Sequence, residues 1–171
     1  MRPFRTSATL SLLVLLIAPG LAIAQPRIMA GGGLSTPFGD FDSAAGPGWH
    51  ATGGLQLEVP SIPIALRADG GYHAFGEQSP APKITMLSGA LSAVVILPGV
   101  GLGPYLLGAI GMYRRSVEDL DPVSDPGFQL AFGVDIGSGT GLQGFAEVRF
   151  ANVNADVGDA RFVTATFGLS L

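Results

Sequence analysis

The sequence predicts an all-β chain, an eight-stranded antiparallel up-and-down transmembrane β-barrel, on three observations. Apolar and polar residues alternate with a period of two over about eight segments, the signature of strands with one apolar face. The connections alternate between short Gly/Pro turns and longer polar stretches, and aromatic residues stand on the apolar face beside the longer stretches.

The first residues set the compartment. Arg2 and Arg5 precede an apolar run from Leu12 to Ala18, then Pro19-Gly20, then Ala22-Ile23-Ala24 before Gln25. This is the layout of a secretory signal peptide. The run is shorter than the ~20 residues that span a bilayer as a helix. Residues 1–24 are therefore expected to be cleaved, leaving 25–171 as one barrel domain. Cysteine is absent, which excludes a lipid-modified cysteine anchor, a disulfide framework and thiolate metal ligation. The net charge of −4 becomes about −6 without Arg2 and Arg5, so no electrostatic case for nucleic acid exists. Charged residues make up 13%, apolar residues 47%, and glycines number 26, a composition that fits neither a disordered chain nor a helical bundle.

The first segment, roughly 27–35, is glycine-rich and its phase is open. The second places Trp49, Ala51, Gly53, Leu55, Leu57 and Val59 on one face and His50, Thr52, Gly54, Gln56 and Glu58 on the other. After the turn Pro60-Ser61, the third sets Ile62, Ile64, Leu66, Ala68, Gly70 and Tyr72 against Ala65, Arg67, Asp69, Gly71 and His73. Pairing Val59 with Ile62 would put His50 opposite Gly71 and Thr52 opposite Asp69, matching polar to polar. Leu87 to Tyr113 is nearly all apolar, but Pro98-Gly99, Gly101, Gly103 and Pro104 break a helix there. Two strands, 84–97 and 105–114, are expected instead. Tyr113 at the upper end and Tyr105 at the opposite rim suggest that the second of these points its odd-numbered residues outward.

The clearest segment sets Phe128, Leu130, Phe132, Val134 and Ile136 against Gln129, Ala131, Gly133 and Asp135. Across Gly137 to Gly141 follows a strand with Leu142, Gly144, Ala146, Val148 and Phe150 against Gln143, Phe145, Glu147 and Arg149, forming a hairpin. The last sets Val163, Ala165, Phe167, Leu169 and Leu171 against Thr164, Thr166, Gly168 and Ser170.

Short connections (60–61, 98–104, 137–141) alternate with long polar ones (36–48, 76–82, 115–127, 151–160) without exception. In a meander this puts all long loops at one end, as in membrane barrels. Trp49, Tyr72, Tyr113, Phe128 and Phe150 then form an aromatic girdle at that end. Glu58, Arg67, Asp69, Asp135, Glu147 and Arg149 form a charge network in the lumen. Burying that set in a soluble core would be costly, whereas a bilayer accepts the apolar face and leaves the charges inside. Eight strands enclose a lumen that side chains fill. Arg67 and Arg149 are expected to pair with carboxylates and plug it, with Gly54, Gly71, Gly133 and Gly168 leaving room for them.

On this pattern, the leader and stretches such as Pro104-Tyr-Leu-Leu-Gly-Ala-Ile-Gly-Met-Tyr-Arg114, the chain from 27 to 171 resembles the small eight-stranded outer-membrane β-barrels: the OmpA transmembrane domain, OmpX and the opacity-type or "porin-family" proteins. The resemblance implies residence in the bacterial outer membrane, contact with its lipid and lipopolysaccharide, and a C-terminal strand, Phe167-Leu169-Leu171, read by the barrel assembly machinery; many members end in Phe where this chain has Leu171. The implied function is non-enzymatic, envelope structure or surface interaction through four loops. A narrow porin-like conduit for small solutes is the alternative, a lipid-A-modifying enzyme a second, and a soluble calycin-like barrel the rival fold.

No cofactor or metal is expected. His50 and His73 face the lumen as diagonal neighbours, with no nucleophile evident beside them. Glu118, Asp119, Asp121 and Asp125 cluster without the glycine and terminal glutamate of a calcium loop, and a solvated acidic loop is expected. Gly31-Gly32-Gly33 has no phosphate-loop context and reads as strand packing.

Overall fold

The computed structural model describes residues 25–58, 62–77, 83–99, 102–118, 120–137, 141–155 and 158–171. The expected leader, 1–24, and the turn residues Pro60-Ser61 lie outside the described residues. Eight strands follow one another: β1 (Gln25–Phe38), β2 (Gly46–Glu58), β3 (Ile64–Gly76), β4 (Ile84–Ile96), β5 (Leu102–Val117), β6 (Val123–Ile136), β7 (Gln143–Val153) and β8 (Ala160–Ser170), with a 3-10 turn at Gly39–Ser43 after β1. Each pairs antiparallel with its neighbour and β1 pairs with β8, giving a closed up-and-down barrel. The all-β, eight-stranded antiparallel architecture expected from the sequence is the one observed. Chain termini mark what we call the lower end; the 3-10 turn lies at the upper end.

The pleat explains which side chains go where. Successive residues alternate between the two faces of each strand. Outside stand Leu55, Leu66, Leu91, Ile110, Leu130, Val148 and Phe167, all substantially exposed; inside stand Gln56, Arg67, Ser92, Gln129, Glu147 and Thr166, all buried. The barrel is thus apolar outside and polar within, the inverse of a water-soluble barrel.

Four expectations are corrected. First, β5 has the opposite phase: Tyr105 and Tyr113 are buried at 3% and 0% exposure while Leu106, Ile110 and Met112 face out. A phenol carries a hydroxyl that needs a partner when buried, and the lumen supplies one for each ring, so Tyr113 is no part of an outer girdle. Second, the β2–β3 register is displaced by two residues: His50 pairs with His73 and Gly54 with Asp69. Pro63 has no N–H to donate to a ladder, and β3 begins at Ile64; a shift of two leaves every face unchanged.

Third, the long polar connections are partly strand. Pairing persists through Phe38–Arg161, Gly46–Gly76 and Arg115–Val123, because a backbone ladder needs no apolar side chains. The connections are five to seven residues at the upper end and five or six at the lower. Fourth, Gly133 and Gly168 leave room for rings. A Cβ on Gly133 would collide with Tyr105 and one on Gly168 with Phe145. Each ring lies over the bare backbone of the neighbouring strand, and Phe145 reaches Gly31 on β1 as well.

Candidate functional site

The lumen is built in tiers, each held by side chains from several strands. At the lower end, the Arg27 guanidinium donates to Glu58 at 3.0 Å and to Asp135 at 3.1 and 3.2 Å. It also donates to Gln143 at 3.1 Å and Ser170 at 2.6 Å. One cation therefore ties β1 to β2, β6, β7 and β8. The planar fork of arginine suits such multiple acceptance. Gln56 completes the tier by donating to Glu58 at 2.8 Å.

In the middle tier Glu147, 4% exposed, is the hub. Arg67 lies 2.6 Å from its Oε2 and Arg149 2.6 Å from its Oε1. Tyr105 donates to the same carboxylate at 2.9 Å, and its ring lies under the Arg67 guanidinium at 5.7 Å. Asp69 lies 3.1 Å from Arg67 and 3.8 Å from Arg149, and accepts from Arg67 at 3.3 Å and from Ser92 at 3.0 Å. Arg149 also donates to Gln129, which in turn donates to the Tyr113 hydroxyl. Removal of charge from water is tolerated only where charges are paired and their remaining hydrogen-bonding capacity is met; this network meets both conditions. The space enclosed by Met29, Thr52, Gly54, Arg67, Asp69, Glu147 and their neighbours is about 10 Å³, at the lower limit for a single water.

Above it lie His50 and His73, directly cross-strand, their rings stacked at 5.4 Å. Ser35 Oγ is 3.3 Å from His50 Nδ1 and 3.2 Å from His73 Nδ1, and His50 Nε2 is 2.9 Å from Thr166 Oγ1. A serine does stand in reach of both histidines, contrary to the sequence reading. It is fully buried, and none of these hydrogen bonds involves a carboxylate, so the arrangement lacks both substrate access and the third member of a triad.

The uppermost tier is apolar. Phe75 and Phe162 meet edge to face at 5.5 Å, Phe162 abuts His73 at 5.1 Å, and Tyr113 packs on Phe162 at 6.3 Å. The 3-10 turn brings Phe41 inward onto Phe75 at 5.1 Å, 5% exposed. Ile84, Met86 and Val153 complete this cap.

All six residues expected to form a lumen charge network lie on the inner wall, divided between two tiers: Glu58 and Asp135 on Arg27, and Asp69, Glu147, Arg67 and Arg149 together. Two features escaped the sequence reading. Arg27 sits on the segment whose glycines obscured the phase, although Ile28 and Leu34 at even positions carried it. The cap continues the lumen-facing alternation of β3 and β8 to Phe75 and Phe162, where side chains change from polar to aromatic. On the outer wall Trp49 and Tyr72 meet at 5.6 Å, and Phe150 touches Phe128 at 6.0 Å and Phe38 at 5.6 Å. Phe38 thus joins the aromatic set that Tyr113 leaves. Among the described residues no group of three or more His, Cys, Asp or Glu is placed to hold a metal.

No protein-family model matches the sequence, and no curated protein matches it. Solved structures do. The chain is similar to the crystal structure of Neisserial surface protein A (NspA), with a TM-score of 0.73 at 14% identity over 86% of this chain and 97% of that one. It is similar to the N-terminal β-barrel domain of Pseudomonas aeruginosa OprF, with a TM-score of 0.53 at 10% identity over 86% and 99%. It is also similar to the Yersinia pestis outer membrane protein Ail in a phospholipid bilayer nanodisc, with a TM-score of 0.54 at 9% identity over 86% and 100%. At these identities the likeness is one of fold: this chain has the closed eight-stranded barrel that these three proteins share.

Proposed function

We propose that the protein is a non-enzymatic integral barrel of the bacterial outer membrane, exported by residues 1–24, whose sealed lumen makes it a rigid scaffold for surface interaction or envelope structure. The observation that carries this reading is the inverted wall: exposed Leu91, Ile110 and Phe167 surround a core of paired Arg67, Arg149 and Glu147. Only a bilayer makes that wall favourable, since lipid accepts the outer side chains and closure leaves no unpaired edge. Trp49, Tyr72, Phe128 and Phe150, joined by Phe38, form the upper interfacial girdle. The polar strand ends beyond it stand in the lipopolysaccharide layer, and the last strand engages the assembly machinery.

The fold's occurrence in Neisserial surface protein A and in the outer membrane protein Ail supports the location. The ionic tiers and aromatic cap argue for a scaffold over a conduit, because a solute would have to displace Glu147 and Phe162 together. The test is a pair of measurements on the refolded protein. Unboiled samples should migrate differently from boiled ones in SDS and resist alkaline extraction from membranes, and planar bilayers should show no discrete conductance steps. A protein that is freely soluble without detergent would overturn the membrane reading; regular steps would convert the scaffold into a conduit.

A further inference from the structure

The outer wall is not uniform. Across β4, β5 and β6 it is cut by an apolar groove of about 740 Å³. Leu91, Ile110, Met112 and Phe128 form its walls, and Gly89, outward-facing without a side chain, deepens its floor. The groove lies beside the aromatic girdle, since Phe128 pairs with Ile110 in the β5–β6 ladder. Asn154, exposed, edges it from above.

The next outward position on β5 beyond Ile110 and Met112 is Arg114, flanked by Leu87 on β4 and Ser124 on β6. It is exposed. Every other described arginine lies against a carboxylate: Arg27, Arg67 and Arg149 in the lumen, Arg115 on Asp125 and Arg161 on Asp159. Arg114 alone has no such partner among the described residues. A cation at the edge of an apolar wall, with a groove directly beneath it, has the chemistry of a phosphate seat above an acyl-chain slot.

We propose that this groove and Arg114 form a binding site for a phosphorylated, acylated lipid of the outer leaflet, one chain lying over Gly89 between Leu91 and Met112 and the phosphate on Arg114. The site rests on the membrane reading above and specifies where a lipid is held. A lipid is favoured over a second copy of the chain on charge. A two-fold contact through this face would set one Arg114 toward another, and like charges opposed at an interface are unfavourable.

The groove can be filled without harm to the ladder, because a Cβ at Gly89 meets nothing within 4 Å. The experiment reconstitutes the full barrel in phosphatidylcholine nanodiscs doped with lipid A and counts retained lipid by native mass spectrometry. Wild type should hold one lipid A. Arg114→Gln and Gly89→Leu should each weaken retention about tenfold, the scale of one hydrogen bond to a charged group, and Arg161→Gln should leave it unchanged. Equal retention by all variants, or phosphatidylcholine held as firmly as lipid A, would overturn the site. So would a dimer that Gly89→Leu splits, which would assign the groove to a second copy. A barrel that fails to enter nanodiscs removes the membrane reading itself, whereas one that enters and holds no lipid A removes only this site.

Discussion

The ionic tiers of the lumen, with Ala65, Val94 and Leu107 packed beside them, and its upper cap fill the same tube by different means. Below, Arg27, Arg67 and Arg149 are matched to Glu58, Asp69, Asp135 and Glu147 through fixed geometry. Above, Phe41, Phe75, Phe162 and Met86 exclude water by packing. An ionic filling is unforgiving, since removing one partner strands the others, while an apolar filling is forgiving of chemistry and sensitive to volume. The stacked histidines lie at the boundary and satisfy themselves on Ser35 and Thr166, so neither region need supply them.

The contrast can be broken most severely at its hub. Glu147→Ala leaves Arg67 and Arg149 facing each other in a buried site and should cost about 3–5 kcal/mol, read as a lowered urea midpoint in bilayers. Replacing Glu147, Arg67, Arg149 and Asp69 together by apolar residues of similar volume should restore most of that loss. Such a rescue would show that the ion pairs specify the filling more than they stabilise it. In the cap, Phe162→Ala should cost about 3 kcal/mol by leaving a cavity, and Phe162→Leu distinctly less; conductance steps in the alanine variant alone would show that the cap is the seal. Arg27→Met should cost about 2 kcal/mol through hydrogen bonds lost by charged acceptors. At the exposed upper rim, Asp159→Ala releases Arg161 and should change stability by less than about 0.5 kcal/mol. A larger effect there would mean that the strand ends are more than solvated extensions.

How far the sequence could be read follows from the physics of each segment. Period two is strong where Leu, Ile, Val and Phe alternate with Gln, Glu and Arg, and it placed both walls of β2, β3, β6, β7 and β8. It fails where a residue suits either wall. Tyr105 and Tyr113 have a ring for lipid and a hydroxyl for the lumen, and only the acceptor on Glu147 and the amide donor on Gln129 decide. Glycines carry no preference, which obscured β1 and with it Arg27. The two-residue slip of β2 on β3 was invisible because it preserves both faces. Loop length misled because polar residues were equated with the end of pairing. The cap was hidden by expecting a lumen to be polar throughout, although Phe75 follows His73 in the same inward phase.

The lower tier also carries a statement about time. Arg27 reaches its partners across separations of 31, 108, 116 and 143 residues, and Ser170 stands on the strand that closes the seam. Arg27 and Glu58 meet within the β1–β2 hairpin, whereas Asp135 and Ser170 reach the same cation when the first and last strands have met. Bringing such distant segments together costs more chain entropy than joining neighbouring hairpins, so the tier is completed last. A half-zipped barrel leaves Asp135 without its arginine, and the closing strand pair completes the ring and neutralises its base in one event.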